Sequence, residues 1–171
     1  MADDPTPQSR FASHPTVQQF NLARMKPDHL DEVAAIDQAS FDHPWPRSAF
    51  EREIAQGHSH PLVCLTGDRV VGYICPWLVS EEVQIQRLAV DPAFRRRGAA
   101  AALLRAVVER AYDVGAHWIY LEVEEGNLAA ESLYQGLGFT LEGLRPDYYG
   151  RGRHALVMVL DLTTEWDGDA D

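Results

Sequence analysis

Two adjoining segments carry residue types arranged for chemistry. In the stretch from Glu82 to Val90, EVQIQRLAV, apolar residues occupy positions 83 and 85 and then 88 and 90, so the alternation of a half-buried strand slips by one residue. A β-bulge near Gln86 and Arg87 produces such a slip and leaves backbone N–H groups unpaired and re-aimed. A strand buried on both faces would give the same pattern. Directly afterwards DPAFRRRGAAAALL ends the strand, turns through Arg95, Arg96 and Arg97, and opens a helix at Gly98. The free N–H groups and positive dipole end of a helix start attract anions such as phosphate, and Gly98, Ala99 and Ala100 let a bulky ligand approach the backbone. The plainer reading is a solvated arginine turn. Neither GxGxxG nor GxxxxGK[ST] occurs.

Other candidates are single residues. Glu122 interrupts an alternating strand whose apolar face is Ile119, Leu121 and Val123, so its carboxylate belongs to the opposite side with Tyr120 and Glu124. Tyr134 lies on the apolar stripe of a short helix, where most tyrosines are amphipathic core residues. Trp45, in FDHPW, and Tyr148 and Tyr149, in RPDYY, are loop aromatics suited either to core packing or to gripping an extended peptide. His58 and His60 have no adjacent carboxylate or cysteine, which favours a loop over a metal site. With Gly67-Asp68 as a two-residue turn, Cys64 would pair opposite Val71, and the four residues from there to Cys75 span about 13 Å. That separation is too great for a disulfide, so both thiols read as structural.

The elements that must position these residues follow from periodicity. Apolar residues at 30, 33, 34 and 36 and a second amphipathic stretch over 47–56 predict two short helices joined by the FDHPW loop. Segments 62–66 and 69–76 predict a hairpin, with 83–90 as a third strand. The stripe at 100, 103, 104, 107, 108 and 111 predicts a helix closed by Gly115. A strand over 118–123, a helix capped by Asn127 and closed by Gly138, and strands over 140–144 and 155–160 complete the order. The expected fold class is a single α/β domain, a mixed and mostly antiparallel sheet flanked by helices. The expected boundaries are a flexible arm over 1–18, the domain over 19–162 and an acidic tail over 163–171.

At 171 residues the chain buries roughly 70% of its unfolded surface without a staple. Fifteen Lys and Arg against twenty-six Asp and Glu give a net charge of −11, which disfavours nucleic acid and favours cationic amines. No run of 18 apolar residues and no basic, apolar leader is present. A cytoplasmic protein with no membrane partner is expected, as a monomer or weak dimer.

Arg95-x-x-Gly98-x-Ala100 after Leu88-Ala89-Val90 resembles the [QR]xxGx[GA] acetyl-CoA motif of the GNAT superfamily of N-acetyltransferases. The likeness continues through YLEVEEGNLAAESLYQGLGF, Tyr120 to Phe139, and covers about residues 20–162. FDHPWPRSAF, the LEV…N…LY…LGF stretch and RPDYY followed by GR and ALVM are similar to the bacterial ribosomal-protein alanine N-acetyltransferases. The resemblance implies acetyl-CoA as co-substrate, no metal, and the N-terminal alanine of a small-subunit ribosomal protein as acceptor; the alternatives are a small amine, a broader set of protein N-termini, or acetyl-CoA binding without catalysis. It implies that Leu88, Ala89 and Val90 present backbone groups to the acetyl and pantetheine portion, and that Arg95, Arg96, Arg97, Gly98, Ala99 and Ala100 wrap the pyrophosphate. Asn127 would lie near the pantetheine arm, Glu122 would be the general base and Tyr134 the general acid, with Trp45, Tyr148 and Tyr149 on the acceptor peptide. The chain departs from the usual pattern at Arg95, often Gln, at Ala100, often Gly, and at His154, where an acidic residue is common. Direct transfer to the amine is implied, with no cysteine nucleophile.

Overall fold

In the computed structural model, which describes residues 20–164, Gly67 takes φ +57° and turns the chain between Leu62–Thr66 (β2) and Arg69–Val79 (β3). The hairpin register is not the simple one. Leu65 faces Val70 but Cys64 faces Gly72, so Val71 is an extra residue and the expected pairing of Cys64 with Val71 is corrected. Cys64 belongs to the core on one face of the sheet and Cys75 to the core on the other, which separates the thiols more decisively than distance along the strand. Burial pushes the Cys64 thiol up to about 11 and holds that of Cys75 well above its ordinary value, so neither is a thiolate at neutral pH.

The strand Asn21–Arg24 (β1) has too little alternation to be signalled in the sequence. It forms because it completes the edge of β2, antiparallel, with Asn21 opposite Leu65 and Arg24 opposite Leu62. A single 3-10 turn then leads into Leu30–Ser40 (α1), and Arg47–Ala55 (α2) follows the FDHPW loop. Both helices lie on one face of the sheet, closing a core of Leu30, Val33, Ile36, Phe50, Tyr73 and Ala89.

Glu82–Val90 (β4) pairs antiparallel with β3, and its register shifts as the alternation requires. Arg87 faces Cys75 whereas Ile85 faces Pro76, leaving Gln86 as the extra residue. Pro76 has no N–H to offer its neighbour, and a bulge opposite is where an interior strand tolerates that loss. Ala99–Asp113 (α3) packs back over the opposite sheet face through Leu103, Leu104, Val107 and Val108. Its close approach explains Gly72, where a Cβ would stand 3.2 Å from the Ala89 carbonyl oxygen and 3.5 Å from Leu103.

Trp118–Glu124 (β5) is parallel to β4, Leu128–Gly136 (α4) covers it on the α3 side, and Thr140–Arg145 (β6) and Ala155–Asp161 (β7) finish the sheet. The strand order is β1-β2-β3-β4-β5-β7-β6, with β4–β5 the one parallel pair. The expected mixed, mostly antiparallel α/β fold is therefore the observed one. The arm over 1–18 and all but Thr163 and Thr164 of the tail lie outside the described residues. Among the described residues no helix is long and apolar enough to cross a membrane.

Candidate active site

The site begins where the sheet fails to close. β4 and β5 pair only from Glu82–Trp118 to Gln84–Tyr120, yet β4 runs on to Val90 and β5 to Glu124. Beyond Gln84 the β5-facing edge of β4 has no strand partner, and an unpaired edge is a template for another extended, hydrogen-bonding group. Leu88, Ala89 and Val90, to which the family resemblance assigns the acetyl and pantetheine portion, lie on that edge just past the bulge.

The chain then turns directly into a helix start. Asp91 caps a short 3-10 turn by accepting from Ala93 N–H at 2.9 Å, and its carboxylate meets Arg69 at 3.0 Å. Gly98 takes φ +89°, and the first intrahelical bond runs from Ala102 N–H to its carbonyl. The N–H groups of Ala99, Ala100 and Ala101 therefore stand before the first bond at the positive end of a four-turn helix. Nothing lies within 4 Å of where a Gly98 Cβ would be, so the approach is open, as a pyrophosphate requires. The three arginines do not act alike. Arg95 folds back on the turn, donating to Val90 O and to Ser40 Oγ, both at 3.1 Å, so its guanidinium holds the turn. Arg96 takes φ +62°, and Arg97 stacks over Phe94 at 5.1 Å. Replacing Gly98 by Ala should strain the left-handed conformation by about 1–2 kcal/mol, lowering the Tm by roughly 2–8 °C, measurable by thermal unfolding.

Asn127 caps α4 with its side-chain oxygen, which accepts from Ala130 N–H at 3.3 Å. Tyr134 comes from the same helix; its ring is buried beside Phe139, and burial pushes its hydroxyl up to about 12.

Glu122 stands on the other face of the split sheet, as the alternation of β5 requires. It is one-quarter exposed, is paired with Arg145 at 3.0 Å, and accepts a hydrogen bond from Tyr148. Tyr149 is coupled electrostatically to both candidate catalytic groups. Its hydroxyl is pushed up to about 12 first by burial and then by Glu122, and its charge would in turn disfavour ionisation of Tyr134. Glu122 and the Tyr148–Tyr149 pair are thus linked electrostatically, and Tyr149 extends the link to Tyr134.

Trp45 approaches from the α1–α2 loop. Its ring packs at 5.4 Å on Phe50 and is partly buried against the α1–α2 core, so it serves packing. Sequence reasoning missed what holds this loop. Asp37, fully buried, accepts from Trp45 N–H at 2.6 Å, from Arg87 at 2.8 and 2.9 Å, and from the Tyr73 hydroxyl. A signal existed: Asp37 is seven residues beyond Leu30, a charge on the buried stripe of α1. Arg153 was missed as well. It pairs with both oxygens of Glu124 at 2.6 and 2.8 Å and with Asp42 at 3.1 Å, joining the end of β5 to the α1–α2 loop. His58, by contrast, packs edge-on against Trp77 at 4.8 Å.

This split sheet, bulge and helix start define an acyl-transferase type of site, and the comparisons give the class. The model of the acetyltransferase (GNAT) family matches residues 30–139, and the chain belongs to that family. A ribosomal protein bS18-alanine N-acetyltransferase of Escherichia coli K12 is 30% identical over 146 residues, covering 83% of this chain and 97% of that protein. The N-alpha-acetyltransferase RimI of Mycobacterium tuberculosis is 38% identical over 125 residues, covering 70% of this chain and 77% of its own length. An uncharacterized Mycobacterium leprae protein is 36% identical over 144 residues, and there the chain spans 39% of the relative's length. The crystal structure of the Escherichia coli ribosomal-protein-S18-alanine N-acetyltransferase superimposes with a TM-score of 0.78 at 23% identity, covering 90% of this chain and all of that one.

Proposed function

We propose that this chain transfers an acetyl group from acetyl-CoA to the α-amino group of an N-terminal alanine, that of a small-subunit ribosomal protein such as bS18. The observation that carries the reading is the opening between β4 and β5 with Glu122 on its rim, in a chain whose relatives of matching extent are named for that reaction. Acetyl-CoA supplies an activated thioester carbonyl. The chain's own groups do the rest.

Backbone N–H groups at the Gln86 bulge and along the free edge of β4 polarise the thioester carbonyl and stabilise its oxyanion. Glu122, through a water, takes the proton of the incoming ammonium. An α-amine has a pKa near 7.7–8 and a lysine near 10.4, so deprotonating lysine at neutral pH costs about 3.5 kcal/mol more. A carboxylate suits the easier proton. Tyr134, raised to about 12 by burial, keeps its proton throughout the working range. Full transfer to a thiolate with a pKa near 8.5 would be uphill by about 5 kcal/mol, so Tyr134 stabilises the leaving sulfur by donating a hydrogen bond, and solvent completes the protonation.

Two outcomes follow for Tyr134. Tyr134→Phe lowers kcat more than it raises KM, and an unchanged kcat removes the residue from the mechanism. Because a raised pKa keeps the phenol protonated until pH passes about 12, the rate shows no falling limb from Tyr134 between about pH 6 and 9, and the Phe variant keeps the shape of the wild-type profile. The test of the function itself is CoA release with a short peptide bearing a free N-terminal alanine, beside the same peptide blocked at its α-amine and carrying an internal lysine. Release with the first alone supports the reading. Release with the second alone, or with neither despite acetyl-CoA binding, overturns it.

A further inference from the structure

The α1–α2 loop is held to the bulged strand by a charge set that acyl transfer itself does not use. Arg87 is the residue after the extra Gln86, and its side chain crosses from β4 to the loop. Two of its nitrogens bond both oxygens of buried Asp37 at 2.8 and 2.9 Å, and one also donates to the His43 carbonyl at 3.2 Å. The guanidinium carbon lies 3.6 Å from the centre of the Phe41 ring and 5.0 Å from that of Trp45. A stack at 3.6 Å leaves no layer of solvent between loop and strand. Bidentate, charge-assisted bonds in a buried setting hold their geometry and do not slide. One side chain therefore sets the separation between two walls, the bulged edge of β4 and the aromatic loop beside it.

We propose that Arg87 is a positioning residue that determines acceptor specificity: by clamping the Phe41–Trp45 loop against the β4 bulge it fixes the width of the slot that receives the acceptor's first side chain, and it admits small ones. The proposal rests on the reading of the chain as an N-terminal acetyltransferase. A larger first side chain must widen the slot, and widening it means breaking the Arg87–Asp37 pair or the stack on Phe41. Lysine in place of Arg87 keeps the charge but neither the bidentate geometry nor the planar stack.

The experiment compares wild type, Arg87→Ala and Arg87→Lys on four peptides that differ only in the first residue, Ala, Ser, Met or Leu, with acetyl-CoA affinity measured by calorimetry for each protein. In Arg87→Ala, kcat/KM on the alanine peptide should fall at least about tenfold, mostly through KM, and the preference for alanine over leucine should shrink by a similar factor. Acetyl-CoA affinity should stay within about twofold, since the substitution alters a side chain turned to Asp37 and Phe41 and keeps the backbone groups of β4 and of the start of α3. Arg87→Lys should recover part of the rate with little of the selectivity, and it carries the test if the alanine variant does not fold. An unchanged order of preference, with all four peptides slowed alike, would reduce Arg87 to a structural role and overturn the proposal. Wild type that binds acetyl-CoA but turns over none of the four peptides would instead overturn the N-terminal reading, and this proposal with it.

Discussion

Glu122→Gln should lower kcat by about 10²–10⁴-fold, the range that a positioned general base contributes, with the KM for acetyl-CoA unchanged. The amide is isosteric and can still accept from Arg145 and Tyr148, which now hold the carboxylate, so the rim keeps its shape while the proton acceptor is lost. Cofactor affinity is untouched because the groups that would bind acetyl-CoA lie along β4 and at the start of α3, on the other side of the opening. Steady-state CoA release at saturating peptide reads the effect directly. A kcat within a fewfold of wild type would move the base elsewhere, and Glu124, two residues along the same face but tied to Arg153, is then the group to substitute.

The second large effect is on stability. Asp37→Asn leaves the Arg87 guanidinium, mostly buried, facing a neutral amide. Breaking a buried ion pair from one side costs about 3–5 kcal/mol because the remaining charge is uncompensated. For a chain of this length each kcal/mol is roughly 2–4 °C, so thermal unfolding should show a Tm lower by about 10 °C, and urea unfolding a lower midpoint. The Tyr73 hydroxyl and the Trp45 N–H also lose their charged acceptor, and the FDHPW loop loosens with the core. A Tm within a degree or two of wild type would mean that this network is a solvated surface feature, contrary to its burial. Conversely, Arg153 and Asp42 pair at an exposed site, where ion pairs contribute little to stability.

Much of the fold was legible along the chain because each element meets its own local requirement. The slip in the apolar alternation placed the bulge near Gln86 and Arg87, since a half-buried strand with a period of two keeps one face apolar across a slip only by bulging, and the register leaves Gln86 as the extra residue. The stripe over 100–111 and the glycines at 98 and 115 bounded α3 to within a residue. Glu122 was placed on the correct face of β5 by alternation alone, and the acetyltransferase motif at Arg95 to Ala100 named the chemistry. What alternation could not show is which strand edges stay unpaired. The opening between β4 and β5 is a property of two strands far apart in sequence, diverging after three residue pairs.

The same holds for partners. β1 exists as a strand because β2 has a free edge, and four residues with little alternation carry no such signal by themselves. The register of Cys64 depended on a second bulge, at Val71, where every residue is apolar and a slip leaves no trace. Arg87 bonds Asp37 across fifty residues of chain, and Arg153 reaches Asp42 across 111. Charged side chains look alike in a sequence whether they face water or one another, because the pairing energy that distinguishes them is set by burial and distance. The residue types and spacing determined the class of chemistry, the elements that present it and the faces they turn inward. The tertiary structure decided which edge stays open, which carboxylate is paired with which guanidinium, and how closely the α1–α2 loop is drawn to the strand, since those depend on contacts between segments that the chain order leaves apart.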